Sequence, residues 1–149
     1  MHDLTLRPLP ALLRPLANKF YRSHRSPMRA QADDVVWVAQ QGELLAALCL
    51  RQLDEGYWLT RLFVAPAHRR QGLAARLLNA ACESCQAPVL LLCHPDLCDF
   101  YAAQGFAPCS APPGFVAERL ARYQRNKPLL AMVRRHQAAA DQWLSDTHR

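Results

Sequence analysis

Residues 58–78, WLTRLFVAPAHRRQGLAARLL, join an apolar strand to an amphipathic helix through a short basic loop that holds one glycine. A helix that begins near Gly72 turns its unpaired backbone N–H groups and the positive end of its dipole toward that loop. Arg69 and Arg70 add charge, and Gly72 lets a ligand come close to the backbone. Such a junction binds an anion, phosphate or pyrophosphate, and by itself it supports nothing narrower. Neither G-x-x-x-x-G-K-S/T nor G-x-G-x-x-G occurs, so nucleotide hydrolysis and a Rossmann dinucleotide site have no support.

The cysteines are the other residues with chemistry of their own: Cys49, Cys82, Cys85, Cys93, Cys98 and Cys109. Cys82 and Cys85 form a C-x-x-C, but late in a helical segment, where the dipole disfavours a thiolate; reactive pairs sit at helix N-termini. A zinc site is awkward too. If an antiparallel strand follows the helix, Cys93 at its far end lies about 15 Å from Cys85 at about 3.3 Å per residue. The expectation is six reduced thiols acting as small core residues in a cytoplasmic protein, with no metal.

Elements must position these groups. Residues 3–7 alternate polar and apolar like a first strand that Pro8 and Pro10 end, and Leu12, Leu13, Leu16 and Phe20 recur at helical spacing over 11–24. After the basic stretch SHRSPMRAQADD, residues 34–39 and 44–53 read as strands joined by a turn at 40–43, and a turn at 54–56 leads into a strand over 57–64. Leu73, Leu77, Leu78, Ala81 and Cys85 give a helical stripe that Pro88 closes, and 89–93 is a buried strand. A short helix over 96–104 closes at Gly105. A strand from Phe106, a helix over 115–126, a strand over 129–135 and a terminal helix over 137–146 complete the pattern. Hairpins come first and a β-α-β unit follows, which is mixed α/β.

The chain has 149 residues, 51% of them hydrophobic and 20% charged, the composition and length of one globular domain over 1–149. No apolar run approaches the roughly 18 to 20 residues that cross a bilayer, and the first 16 residues are broken by prolines and arginines, which argues against spanning and export. A net charge of +6 and a pI near 9.3 favour anionic ligands without identifying one. Only Lys19 and Lys127 are lysines, so the positive charge is nearly all arginine. Nucleic-acid binding would rest on charge alone, since no reading motif is present.

At the basic junction the chain resembles the GCN5-related N-acetyltransferase (GNAT) family, whose pyrophosphate loop reads R/Q-x-x-G-x-G/A; here it is Arg69-Arg70-Gln71-Gly72-Leu73-Ala74. Leu62-Phe63-Val64-Ala65-Pro66 looks like that family's L-x-V-x-P strand end, and Phe100 to Phe106, FYAAQGF, like its F/L-Y-x-x-x-G-F. The order is right, with one helix and one strand between the two motifs, and the resemblance extends over residues 34–109.

The resemblance implies a mostly antiparallel sheet of about seven strands flanked by helices, splayed between the fourth and fifth strands. It implies an acetyl-CoA site at Leu62, Phe63 and Val64, where the Leu62 and Val64 backbone pairs with pantetheine amides. The amides from Arg70 to Ala75 would hold the pyrophosphate. Tyr101 falls where many members keep a tyrosine that protonates the departing CoA thiolate. His94 replaces an asparagine that contacts pantetheine, and three roles stay open for it: cofactor contact, base, or cap of the next helix. The family's carboxylate base on the fourth or fifth strand has no counterpart at 57–64 or 89–93, which leaves His94, Asp96 and Glu43 as unranked acceptors of a proton through water. Residues 19–29, with Lys19, Arg22, His24, Arg25 and Arg29, fall where the family builds its acceptor pocket; they suit an anionic amine, or else form a solvated basic face. The implied activity is acetyl transfer from acetyl-CoA to a primary amine by direct attack in a ternary complex. The alternative is a non-catalytic acyl-CoA-binding regulator on the same fold. Trp143 and Leu144 in the terminal helix do not decide between monomer and homodimer.

Overall fold

The computed structural model describes residues 3–136, so the terminal helix expected over 137–146 lies outside the described residues. The strands are β1 (Thr5–Leu9), β2 (Val35–Gln41), β3 (Glu43–Leu53), β4 (Gly56–Val64), β5 (Val89–Cys93), β6 (Ala107–Pro108) and β7 (Leu130–Arg134). The helices are α1 (Arg14–Ser23), α2 (Leu73–Glu83), α3 (Cys98–Ala103) and α4 (Gly114–Tyr123). One mixed sheet runs in the order β1-β2-β3-β4-β5-β7-β6. The β1–β2, β2–β3, β5–β7 and β6–β7 pairs are antiparallel and β4–β5 is parallel. The expected α/β architecture is present. The parallel ladder is short, Tyr57 opposite Val89 and Trp58 opposite Leu90, and β4 continues beyond it.

The described residues fall into two compact units: 3–52 with 59–82, and 53–58 with 83–136. In the first unit β1 runs through Pro8 instead of stopping before it. Proline is tolerated there because β1 ends the sheet and pairs only with β2, so its missing N–H falls on an open edge. The helix expected over 11–24 opens as a 3-10 turn, Ala11–Leu13, before α1 proper. Its buried face is Ala17, Phe20 and Tyr21. The anticipated Leu12, Leu13, Leu16 stripe is instead exposed, Leu12 by 92%. The sheet face packed in this core offers Val36, Val38, Ala47 and Cys49. Two small residues there leave room for the Tyr21 ring, which the leucine spacing does not reveal.

The second unit is built on Trp58, Leu90, Val116, Ala131 and Val133, with Phe115 and Leu120 of α4 packed against them. Trp58 and Phe115 meet edge to face, centroids 5.9 Å apart. The strand expected from Phe106 is only two residues long, because prolines at 108, 112 and 113 remove ladder donors. Helix α2 ends at Glu83, which puts Cys85 beyond the helix rather than on its stripe.

The turn into β4 depends on Gly56 at φ 151. A Cβ there would overlap the Pro88 carbonyl oxygen, the same oxygen that accepts the Tyr57 N–H at 2.8 Å. Gly56→Ala is therefore expected to destabilise the fold by about 2 kcal/mol. Urea unfolding measures it, and a midpoint equal to wild type would refute the close approach.

Candidate functional site

The end of β4 is an open backbone edge. Ala65 N–H bonds to Leu45 C=O at 2.8 Å, beside β3. With a two-residue repeat, Phe63 faces β3 and the Leu62 and Val64 backbone faces away from it. The side chains alternate in the same way. Phe63 belongs to the α1-side core, with its ring 5.9 Å from Phe20 and 6.2 Å from Tyr21. A ligand along this edge would thus meet the Leu62 and Val64 backbone and not the Phe63 ring, which is engaged in the core.

Before Leu62 the strand is kinked: Arg61 has φ 58, a left-handed conformation uncommon for a side-chain-bearing residue. Its carbonyl accepts the O–H of fully buried Tyr21 at 2.7 Å. Its guanidinium donates to Thr60 Oγ1 at 2.7 Å and lies 3.8 Å from the Asp34 carboxylate. Asp34, 4% exposed, also accepts the Gln31 N–H at 2.7 Å and faces Arg51 Nε at 4.0 Å. Sequence reading missed Tyr21, Asp34, Arg51 and Arg61. An Asp just before a strand and arginines inside strands read as ordinary polar positions until pairing brings them together.

After β4 a 3-10 turn, Pro66–His68, leads into the loop. Arg69 folds back: its Nε donates to Val64 C=O at 2.9 Å and its guanidinium lies 5.2 Å from the Phe63 ring centroid. It braces the strand end, and Arg70 beside it is exposed. Arg70 at φ 65 and Gly72 at φ 76 flank Gln71 in left-handed conformations. At the start of α2 the Arg76 N–H bonds to the Gly72 C=O at 3.1 Å. The N–H groups of Leu73, Ala74 and Ala75 precede it, at the helix end where amides lack intrahelical partners. Nothing lies within 4 Å of a Cβ built on Gly72. Open space, amides and a free arginine fit the pyrophosphate of a CoA ester.

In the second unit β5 ends at Cys93, and exposed His94 follows. Its Nδ1 accepts the Asp96 N–H at 3.1 Å, which caps the 3-10 turn Pro95–Leu97. Of the three roles open to His94 the cap is the one observed, and it engages Nδ1 rather than Nε2. Tyr101, 8% exposed on α3, packs edge to face on Phe100 and Phe106. Burial, with the Cys93 thiol adding to it, pushes its phenol up to about 12. Among the described residues no hydrogen bond engages its hydroxyl, so the donor is available.

Of the remaining candidates, Asp96 is exposed, while Glu43, Lys19 and His24 line one groove of about 400 Å³ in the first unit, floored by Leu9, Phe20 and Leu44. Arg22, Arg25 and Arg29 are exposed. Cys49, Cys82, Cys85 and Cys93 are buried and Cys98 and Cys109 half-buried, all without disulfides. That is the core role expected of most of them. Burial raises the Cys85 thiol, against a reactive pair with Cys82. No helix of the described residues is long and apolar enough to cross a membrane.

Comparison with known proteins gives consistent results. The family described as "Acetyltransferase (GNAT) domain" matches residues 32–108. No curated protein sequence matches the chain significantly. Among solved structures, Escherichia coli ElaA superposes with a TM-score of 0.58 at 21% identity, covering 90% of this chain and 99% of that one. Arabidopsis thaliana Naa50, bound to the bisubstrate analogue CoA-Ac-MVNAL, gives 0.63 at 15% identity over 88% and 97%. N-acetylglutamate synthase from Neisseria gonorrhoeae, with coenzyme A and N-acetyl-glutamate, gives 0.63 at 15% identity, covering 91% of this chain but 35% of that one. These likenesses show a shared fold.

Two outcomes follow from the geometry. Gly72→Glu places an anion beside the loop, and its affinity for CoA by calorimetry should fall at least about tenfold below that of Gly72→Gln, which bears the same strain at φ 76 without the charge; equal affinity of the two would remove the loop from the site. The second concerns pH. Burial raises Cys49 to about 12, Cys93 to about 11 and Tyr101 to about 12. The unfolded chain then releases these protons at lower pH than the folded one. Their contribution is complete below about pH 8 and is lost as pH rises from about 9 toward 12. Urea midpoints should be flat from pH 7 to 8 and drop from 9 to 10.5, less steeply in Cys49→Ala; a flat profile to 10.5 contradicts it.

Proposed function

The chain belongs to the GNAT acetyltransferase family, and from that premise we propose that it is an acetyl-CoA-dependent N-acetyltransferase acting on a primary amine of a small molecule or protein. The observation that carries the reading is the loop after β4. Left-handed Arg70 and Gly72, open space above Gly72 and the leading amides of α2 together suit a pyrophosphate on an open strand edge. Acetyl-CoA supplies an acetyl group activated as a thioester. The amides of residues 70–75 hold its pyrophosphate, the Leu62 and Val64 edge takes pantetheine, and His94 Nε2 is free to contact it. Transfer proceeds by direct attack of the amine in a ternary complex, so binding and orientation supply most of the rate.

Tyr101 serves the departing thiolate. At about 12 its phenol stays protonated throughout the physiological range. It is a weaker acid than an exposed phenol, so it acts first as a hydrogen-bond donor that strengthens as charge grows on sulfur. Lys19 and His24 share the unit 1 groove with Glu43, which supports an acceptor carrying both an anionic group and an amine. Six thiols without disulfides suit a reducing compartment, and the cytoplasm is the proposed place of action.

The test is CoA release over a panel of amines, with and without a carboxylate. Release with at least one amine supports transfer; CoA binding without release from any would favour the acyl-CoA-binding regulator. With the best acceptor, Tyr101→Phe should lower kcat and kcat/KM at least about tenfold and leave the KM for acetyl-CoA nearly unchanged. A single-turnover rate within about twofold of wild type would make Tyr101 a packing residue only.

A further inference from the structure

We propose that Tyr21 is a positioning residue for acetyl-CoA: by holding the Arg61 carbonyl it fixes the direction of the Leu62 N–H on the open edge of β4. The inference rests on the proposed contact between Leu62 and pantetheine. A trans peptide is planar, with its C=O and N–H pointing in opposite directions. The Arg61 carbonyl is held by the Tyr21 O–H at 2.7 Å, so the N–H on the far side of that peptide, the Leu62 N–H, points away from Tyr21.

The kink needs such a restraint. Arg61 at φ 58 occupies a region that side-chain-bearing residues keep only when their surroundings over-determine it. Both ends of Arg61 are engaged, the carbonyl by Tyr21 and the guanidinium by Thr60 and Asp34. The Tyr21 hydroxyl has little alternative: the residue is fully buried and its other neighbour is Cys49 Sγ at 3.9 Å, a weak partner. Its ring is fixed between Phe20 and Phe63, at 5.8 and 6.2 Å. Phe63 adjoins Leu62 in β4, so the phenol and the peptide it orients are packed as one piece. Removing the O–H leaves the peptide free to rotate and an oriented donor is lost from the edge.

Calorimetric titration with CoA alone tests this without an acceptor. Tyr21→Phe should weaken CoA by about three- to tenfold, the worth of one hydrogen bond to an oriented donor. The Leu62 amide cross-peak should be displaced in the free protein, and the circular dichroism should match wild type. Cys49→Ala, which keeps the Tyr21–Arg61 bond, should bind CoA as wild type does. Glycine adopts φ 58 freely, so in an Arg61→Gly background the added effect of Tyr21→Phe should fall below about twofold. A purely structural role of Tyr21 would not be relieved by glycine at position 61. Wild-type-like CoA affinity in Tyr21→Phe, or an equal loss in both backgrounds, overturns the positioning role alone. A wild-type protein that fails to bind CoA overturns the acetyl-CoA reading and this inference with it. If Tyr21→Phe does not fold, the comparison of Arg61→Gly with Arg61→Gly/Tyr21→Phe decides, since glycine relieves the strained residue.

Discussion

A left-handed arginine in the middle of a strand is held by its neighbours rather than by its own preference, and the first unit is arranged around that constraint at Arg61. Tyr21 of α1 takes its carbonyl, and Asp34, just before β2, faces its guanidinium. The packing follows. Ala47 and Cys49 are small where Tyr21 enters, and α1 turns Ala17, Phe20 and Tyr21 inward at the cost of leaving its leucines in water. A buried carboxylate is tolerable only with partners, and Asp34 has the Gln31 amide and two arginines.

Beyond the kink, β4 presents backbone groups rather than side chains along its free edge at Leu62 and Val64. The edge at Leu62 and Val64 is terminated by Arg69, which caps the Val64 carbonyl and covers the Phe63 ring. That assignment separates the two arginines of the motif: one is structural, the other remains exposed beside the left-handed turn at Gly72. Amides at a helix start and an exposed arginine beside them suit a diphosphate, whose charge is spread over several oxygens.

In the second unit burial sets the state of the candidate phenol. Tyr101 sits among Phe100, Phe106 and the Cys93 thiol, and burial keeps its proton in place. His94 is held differently, by a local bond to the Asp96 amide that leaves one ring nitrogen available. The first is fixed by packing and the second by a turn, so their environments respond differently to substitution nearby.

The resemblance to the family motif singled out Tyr101, and the sequence by itself determined the order of elements and the strand–loop–helix junction from Arg69 to Ala74. These rest on local causes: two- and 3.6-residue periodicity, prolines and glycines at ends, and a strand running straight into a helix. It also placed Val89–Cys93 as a buried strand. Tertiary structure alone decided which face of α1 is buried, that Pro8 lies within an edge strand, that Arg69 braces β4, and that Tyr21, Asp34 and Arg61 meet. Each depends on residues 5 to 40 positions apart. Hydrophobic spacing records how much of a helix can be buried, not which neighbour offers the space. The hydrogen bond that Tyr21 makes with Arg61 exists only once α1 and β4 share one core.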